Sequence, residues 1–414
     1  MGADQATAMA TRPEHHQVVD RLTKRFDHQD PQLSPDVLND VYRGLLDGPA
    51  IHQSDVHGGV AYLTRYDDVV AVEKNTQVFS SAQGVRCPRQ ANQPLSIPAE
   101  TDKPMHTEYR RLFLNVLSPP QVRKAEPFLR ELTEALVRDY VAGPQDDFCQ
   151  NVATQLPIRA VGELIGLDLH SSGEMQKHVE ALLLHYGKPE ALQALNGLTQ
   201  IAQVEIDARR ANPRDDYLTA LTTAKVDGRL LTDEELQNMM RTFMFAGFET
   251  TAHMIGSMML YLAEHPDVQK RVREDDQALI NCVEECLRFL PPVQTMFRTV
   301  TTSTCLRDVE LAQGDTVGLL YAAANRDAAK FENPDAFDID RSNARLHLSF
   351  GFGQHLCAGS HLARREMHIL LEVLRDYPPF TLGGPVTMLP HLMGGQMMGP
   401  EHLPISFKTT EERA

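Results

Sequence analysis

The residues best equipped for chemistry lie in one short run, Ser349-Phe350-Gly351-Phe352-Gly353-Gln354-His355-Leu356-Cys357-Ala358-Gly359. One cysteine stands among glycines and phenylalanines, and the apolar spacing from Ser360 to Leu374 predicts a helix directly after it. A thiolate is a soft metal ligand that needs positive polarity to stay deprotonated. Backbone N–H groups in a tight loop and the start of a helix both supply it. The glycines let the backbone wrap close to the sulfur and let a flat ligand lie against it. Three chemistries fit such a run. One is a buried structural cysteine beside a turn. Another is a zinc site using Cys357, His355 and His361, although zinc usually takes a second ligand pair and none is evident. The third is a loop that presents one sulfur to a haem iron.

The whole pattern, Phe-Gly-x-Gly-x-His-x-Cys-x-Gly over residues 350–359, is far more specific than any residue within it. On these residues the chain resembles the cytochrome P450 superfamily, in its soluble bacterial class. In pattern it is nearest to the camphor-hydroxylase-like, terpenoid-oxidising members. The resemblance implies a mainly α fold with smaller β-sheets (α+β), with haem b between a long central helix and the cysteine loop. Cys357 would be the axial thiolate, the metal ligand, with Phe350 and Gly359 beside the ring. The thiolate would donate electron density to iron and favour O–O cleavage. His106 and Arg110 are spaced to share a helical face. Taken alone they are a surface polar pair. The resemblance makes them a clamp on haem propionates, for which the planar fork of Arg is suited. Arg298 and His347 would complete that clamp.

Helices must position these groups. A long helix is predicted from Asp233 to Glu264, started by a capping box of Thr232 and Glu235. It carries Phe245-Ala246-Gly247-Phe248-Glu249-Thr250-Thr251, and glycine and paired threonines are poor helix formers. Small residues there suit helix packing or the approach of a flat ring. The resemblance makes this the oxygen-activating helix, with Thr250 and the acid Glu249 relaying protons while bulk water stays out. A further helix from Gln277 to Leu290 carries Glu285 and Arg288, which with Arg341 would form a structural ion-pair group. Between residues 126 and 225 the periodicity predicts helices at Phe128–Val141, Phe148–Ile165, Glu174–Leu184, Glu190–Arg209 and Tyr217–Thr223. His170-Ser171-Ser172 is read as a break. Residues 294–322 and Phe380 to Phe407 read as β-rich. Residues 1–35 are read as a polar N-terminal segment and 36–414 as one domain.

The formal charge of −16 argues against nucleic acid and against anionic membranes as partners. Met1 to Ala10 has neither an apolar run nor a positive start, which argues against a signal or anchor. Six cysteines in 414 residues make no disulfide framework, and Cys282 and Cys286, one helical turn apart, read as a shared core face. A cytoplasmic monomer is expected. No flavin or nicotinamide fingerprint is present, so electrons would come from a ferredoxin with its reductase, docking on Arg110, Arg111, Arg364 and Arg365. The other reactants would be O2 and a small hydrophobic substrate, hydroxylated or epoxidised. The resemblance places Val85, Leu95, Phe245, Ala246, Gln294, Met296, Gln396 and Met397 in the substrate pocket. Methionines adapt to irregular apolar shapes. A compact terpenoid fits this lining. Late-stage oxidation of a polyketide or peptide natural product is the alternative. Two readings of other kinds are a haem-binding sensor or scaffold without turnover and a peroxide-using haem enzyme.

Overall fold

Apolar residues recur at three- and four-residue spacing through most of the sequence, and helices accordingly make up most of the structure. The computed structural model describes residues 13–89, 94–392 and 397–407. The main core is helical. Leu112 and Phe113 from helix Met105–Leu117, Leu136 and Val137 from helix Pro119–Ala142, and Met254 and Met258 from helix Glu249–Glu264 meet in it.

A mixed sheet lies to one side. Its strands run in the order Ile51–Ser54, Val60–Leu63, Thr316–Leu320, Thr295–Val300 and Phe79–Ser80. Val60–Leu63 pairs in parallel with Thr316–Leu320, placing Val60 opposite Thr316, and the other pairings are antiparallel. A two-stranded hairpin, Thr387–Leu392 with Met397–His402, returns to the body near Val293. The α+β reading therefore describes the architecture.

Several local expectations differ from what is found. The stretch read as polar up to residue 35 contains a helix, Pro13–Lys24. Leu22, Phe26 and Leu33 are buried with Val41, Tyr42 and Phe297, so these residues share a core with the sheet. The helix expected from Phe128 begins at Pro119 and carries Pro127 inside it. Extended Ser118 followed by Pro119 at the first helical position is the stronger start signal. His170-Ser171-Ser172 does not break a helix but opens one. The Asp168 carboxylate accepts the Ser171 N–H (2.8 Å), and the Ser172 hydroxyl donates to the Asp168 carbonyl (2.8 Å).

The predicted long helix is two helices, Asp233–Ala246 and Glu249–Glu264, with Gly247 and Phe248 between them. A Cβ on Gly247 would stand 2.5 Å from the Phe243 carbonyl oxygen and 2.7 Å from Val161 Cγ2, so only glycine allows this approach. The capping box of Thr232 and Glu235 is present as predicted. Cys282 and Cys286 are fully buried on one face of helix Asp276–Phe289, their sulfurs 3.9 Å apart. Among the described residues no helix is long and apolar enough to cross a membrane.

Candidate functional site

The cysteine loop is built by its glycines. Gly351 and Gly353 take φ values of +69° and +65°, and a Cβ on Gly353 would come within 3.1 Å of the Glu73 carbonyl oxygen. The Cys357 N–H closes the loop by donating to the Phe350 carbonyl (2.8 Å). Helix Ser360–Leu374 starts immediately after, and the backbone N–H groups of Gly359 and Ser360 stand close enough to the Cys357 sulfur to favour its thiolate. Burial raises the thiol pKa. Those two N–H groups and the nearby Arg110 and Arg364 oppose the rise. Cys357 is deep-set, yet its side chain is open to an internal space, so the sulfur is both enclosed and reachable.

Beside the loop stands a group of basic side chains. His106, on helix Met105–Leu117, is 2% exposed, and neither of its ring nitrogens has a partner. Arg110 donates to the Leu356 carbonyl (2.6 Å), tying that helix to the loop. Arg298 is buried. It donates to Glu73 (2.8 Å) and to the Phe297 carbonyl (2.8 Å), and its Nε has no partner. The His355 ring lies 4.4 Å from that of His106 and within 3.3 Å of the Ser81 hydroxyl. Burial lowers His106 to about 4, with Arg110 adding to the effect. Burial also lowers His355 to about 3, reinforced by Arg298, His106 and Arg110. Arg110, His106, His355 and Arg298 thus act on one another within a single region.

His347 is not part of that region. Its Nε2 lies 3.3 Å from Glu284 and 3.4 Å from Arg364. Buried Glu284 accepts two bonds from Arg364 (2.8 and 3.1 Å). Burial acts to raise the Glu284 pKa, but His347 and Arg364 bring it to about 2. The buried carboxylate captures His347, while His355 lies beside His106. The signal was available, since His355 is the histidine of the glycine motif itself.

Along the split helix the burial pattern picks out a stripe. Thr242, Ala246 and Thr250 are more open than their neighbours, at a spacing of four residues. Ala246 is exposed although its helix is otherwise largely buried, so this stripe borders an internal opening. Glu249 faces elsewhere. It lines an outer pocket with Glu180, His253 and Glu401, and His253 Nε2 lies 3.4 Å from its carboxylate.

The expected pocket residues do not all fall in one place. Leu95 and Phe245 line one small cavity together with Arg86. Val85, Met397 and half-buried Met296 are outside that lining: the Val85 carbonyl accepts the Phe297 N–H (3.1 Å) and Met397 bridges to Val293. Gln294 is a correction. Its Oε1 accepts from the Tyr42 hydroxyl (3.1 Å) and its Nε2 donates to the Pro291 carbonyl (2.5 Å). One end of the amide is engaged by helix Pro35–Asp47 and the other by the turn before the sheet, so it is turned to the scaffold. Gln396 lies outside the described residues.

The expected ion-pair group is in place. Fully buried Glu285 accepts two bonds from Arg288 (2.8 and 2.7 Å) and one from Arg341 (3.1 Å). Two of the expected docking cations are not free. Arg364 is held by Glu284 and lies over the Phe350 ring, 4.6 Å from its centroid, and Arg365 is held by Glu126 and Glu372. A surface cleft is instead lined by Lys74, Lys103, Arg110 and Arg111, with no carboxylate in its lining.

Comparison with known proteins settles the family. The sequence profile described as "Cytochrome P450" matches residues 187–377. A steroid C26-monooxygenase of Mycolicibacterium smegmatis is 31% identical over 411 residues, covering 97% of this chain and 98% of that one. The chain belongs to the cytochrome P450 family. It is a P450 monooxygenase, and the family's cofactor is haem b with an axial cysteine thiolate. The erythromycin C-12 hydroxylase of Saccharopolyspora erythraea is 32% identical over 84% of this chain and 89% of its own. Among solved structures, a mutant of the P450 EryK in complex with erythromycin B superposes with a TM-score of 0.80 at 30% identity, covering 91% of this chain and 98% of its own. A Mycobacterium marinum P450 in complex with pseudoionone gives 0.81 at 27% identity, covering 90% and 95%.

The residues present fit a haem. A deep sulfur receives two N–H groups, and unpartnered nitrogens on buried His106 and Arg298 suit propionate oxygens. A helix stripe of small side chains leaves room for a flat ring.

Proposed function

We propose that this P450 inserts one oxygen atom from O2 into a C–H bond of a compact, mostly apolar, terpenoid-like substrate, using electrons from a ferredoxin. Bound haem supplies the oxygen-activating chemistry. Cys357 would hold the haem iron through its sulfur, and the Gly359 and Ser360 N–H groups would oppose the burial that raises its pKa. His106, Arg110, His355 and the free Nε of Arg298 would hold the haem propionates. Thr250 borders the internal opening while Glu249 borders the outer pocket, so the pair spans the helix between the reacting space and solvent. Thr250 holds the proton that is delivered and Glu249 replenishes it.

The substrate class rests on the lining, in which Leu95, Phe245 and neighbouring leucines give an apolar surface of modest size. The pseudoionone bound by the Mycobacterium marinum relative is a small apolar ketone of that kind. The ferredoxin rests on the cleft of Lys74, Lys103, Arg110 and Arg111, a positive surface on a chain of net charge −16. An acidic partner would be steered there.

The observation that carries the reading is the Cys357 sulfur, enclosed and N–H-bonded at a helix start. Cys357→Ala in purified holoprotein is expected to remove the thiolate form of the ferrous–CO spectrum. An unchanged spectrum would end the assignment. A spin-state titration with terpenoids, steroids and macrolide fragments then separates substrate classes. A shift confined to large oxygenated ligands would replace the terpenoid reading with natural-product tailoring.

A further inference from the structure

The small cavity at the strap residues Pro94, Leu95 and Ser96 combines two kinds of lining that rarely coexist without a ligand. Leu95, Leu182, Leu198 and Phe245 make it apolar, while Arg86 and Arg241 bring two cations, and no carboxylate lines it. Arg241 lies on helix Asp233–Ala246 and is 9% exposed. Its Nη1 donates to the Thr199 hydroxyl (3.0 Å). Among the described residues no carboxylate lies within 4.0 Å of its guanidinium. Burial lowers its pKa, and the carboxylate that opposes this, Glu234, is exposed nearly two turns back.

Arg86 is only loosely matched. It lies over the Phe245 ring, 5.1 Å from the centroid, and 3.8 Å from Glu100. Both Glu100 oxygens are already engaged, by the Val85 N–H (2.9 Å) and the Ser96 N–H (2.6 Å). The strap is itself fixed to the helix, because Asn238 accepts the Ile97 N–H (2.8 Å) and donates to the Leu95 carbonyl. Arg86 therefore keeps only a loose ion pair with Glu100, and Arg241 is held in place with none. A buried cation lacking a counter-ion is strongly disfavoured, and an incoming anion relieves that penalty. A planar carboxylate suits the fork of either arginine.

We propose that this cavity is an anion subsite of the substrate pocket, where Arg241, assisted by Arg86, holds a carboxylate carried by an otherwise apolar substrate. The proposal deepens the monooxygenase reading above and rests on it. Arg241 precedes Thr250 by nine residues across the break at Gly247 and Phe248, on the order of 14 Å at the helical rise of about 1.5 Å per residue. The carbon oxidised near Thr250 therefore lies far from the acid group, towards the opposite end of the molecule. The substrate is then a terpenoid or aliphatic acid attacked remote from its carboxylate.

The test uses purified holoprotein whose ferrous–CO spectrum shows thiolate ligation. Farnesoic, abietic and dodecanoic acids, each paired with its methyl ester, are titrated by haem spin state and by ligand-induced thermal stabilisation. At least one acid is expected to bind about tenfold tighter than its ester. Arg241→Gln should abolish that preference while leaving the ester affinity as it was, and Arg241→Lys should restore part of it. Arg86→Gln should reduce the preference by a smaller factor, which keeps the test open if the Arg241 variants fold poorly. Equal binding of every acid and its ester, or a preference unchanged in Arg241→Gln and Arg86→Gln, overturns the subsite. So does an absence of response to every acid in both readouts. A missing thiolate signature in the unsubstituted protein sinks the haem reading instead, and the thermal comparison still reads the anion preference.

Discussion

The cysteine-loop side of the molecule and the substrate side treat buried charge in opposite ways. On the cysteine side nearly every buried ion has matched partners. Glu285 holds Arg288 and Arg341, Glu284 holds Arg364 and His347, and Glu73 holds Arg298 and the Tyr321 hydroxyl. On the substrate side Arg241 has only a hydroxyl, Arg86 has a distant carboxylate, and His253 lies near Glu249 without a hydrogen bond. Buried ions that are fully bonded hold a geometry, and buried ions that are under-bonded leave something for a ligand or a proton to do. One side fixes a sulfur in place, and the other keeps capacity in reserve. Glu366 breaks the pattern. It sits on the cysteine-loop helix, fully buried, with neither oxygen bonded.

The contrast can be broken most forcefully at Arg288. Arg288→Ala leaves Glu285 as a buried carboxylate that has lost its bidentate partner, which is expected to cost about 3–5 kcal/mol in denaturant unfolding of the holoprotein. A loss below about 1 kcal/mol would show that the paired frame does not carry the fold.

Glu366 comes next. Burial pushes its pKa from 4.5 up to about 8, so the folded protein holds a proton there that the unfolded chain has released. Its contribution is full below pH 4.5 and is lost as pH rises through 8. Glu366→Gln should therefore stabilise the protein by on the order of 3 kcal/mol at pH 8, with little effect at pH 4.5. Parallel melting-temperature profiles against pH for the two proteins would show that Glu366 is ionised and partnered after all.

On the substrate side, Thr250→Ala is expected to slow product formation by about 10²-fold while electron consumption continues and ligand affinity holds. Oxygen-uptake and product assays run together check this, and full coupling would remove Thr250 from the relay. The smallest effect sharpens the boundary between the two sides. Gln294→Leu leaves the Tyr42 hydroxyl unbonded and should cost about 1–2 kcal/mol of stability, with spin-state affinities unchanged. Altered affinities at unchanged stability would return Gln294 to the pocket.

Features set by neighbours in the chain were legible. The glycine frame of Cys357, the i and i+4 pairing of His106 with Arg110, the capping box of Thr232 and the Glu285–Arg288 pair depend on residues a few positions apart. The errors arose where a distant residue decided the outcome. The close approach of Val161 at Gly247 comes from another helix, and spacing within the helix does not reveal it. His347 and His355 are equally plausible by motif distance, and buried Glu284 on another helix separates them. Gln294 was assigned to the pocket by position, but Tyr42 from the N-terminal helix occupies it. Arg364 and Arg365 read as free cations until Glu284, Glu126 and Glu372 are placed beside them.

The amino-acid sequence by itself determined the chemistry this protein can perform. A thiolate needs a short, local frame of glycines and a helix start, and residues 350–360 contain all of it. Tertiary structure alone decided which charges are spent and which remain available. Arg364 and Arg241 look alike in sequence, and only the fold places a carboxylate against one and an apolar cavity against the other. The physical reason is that the strength of a charge depends on the dielectric and the partners around it, and both are supplied by segments far away in the chain.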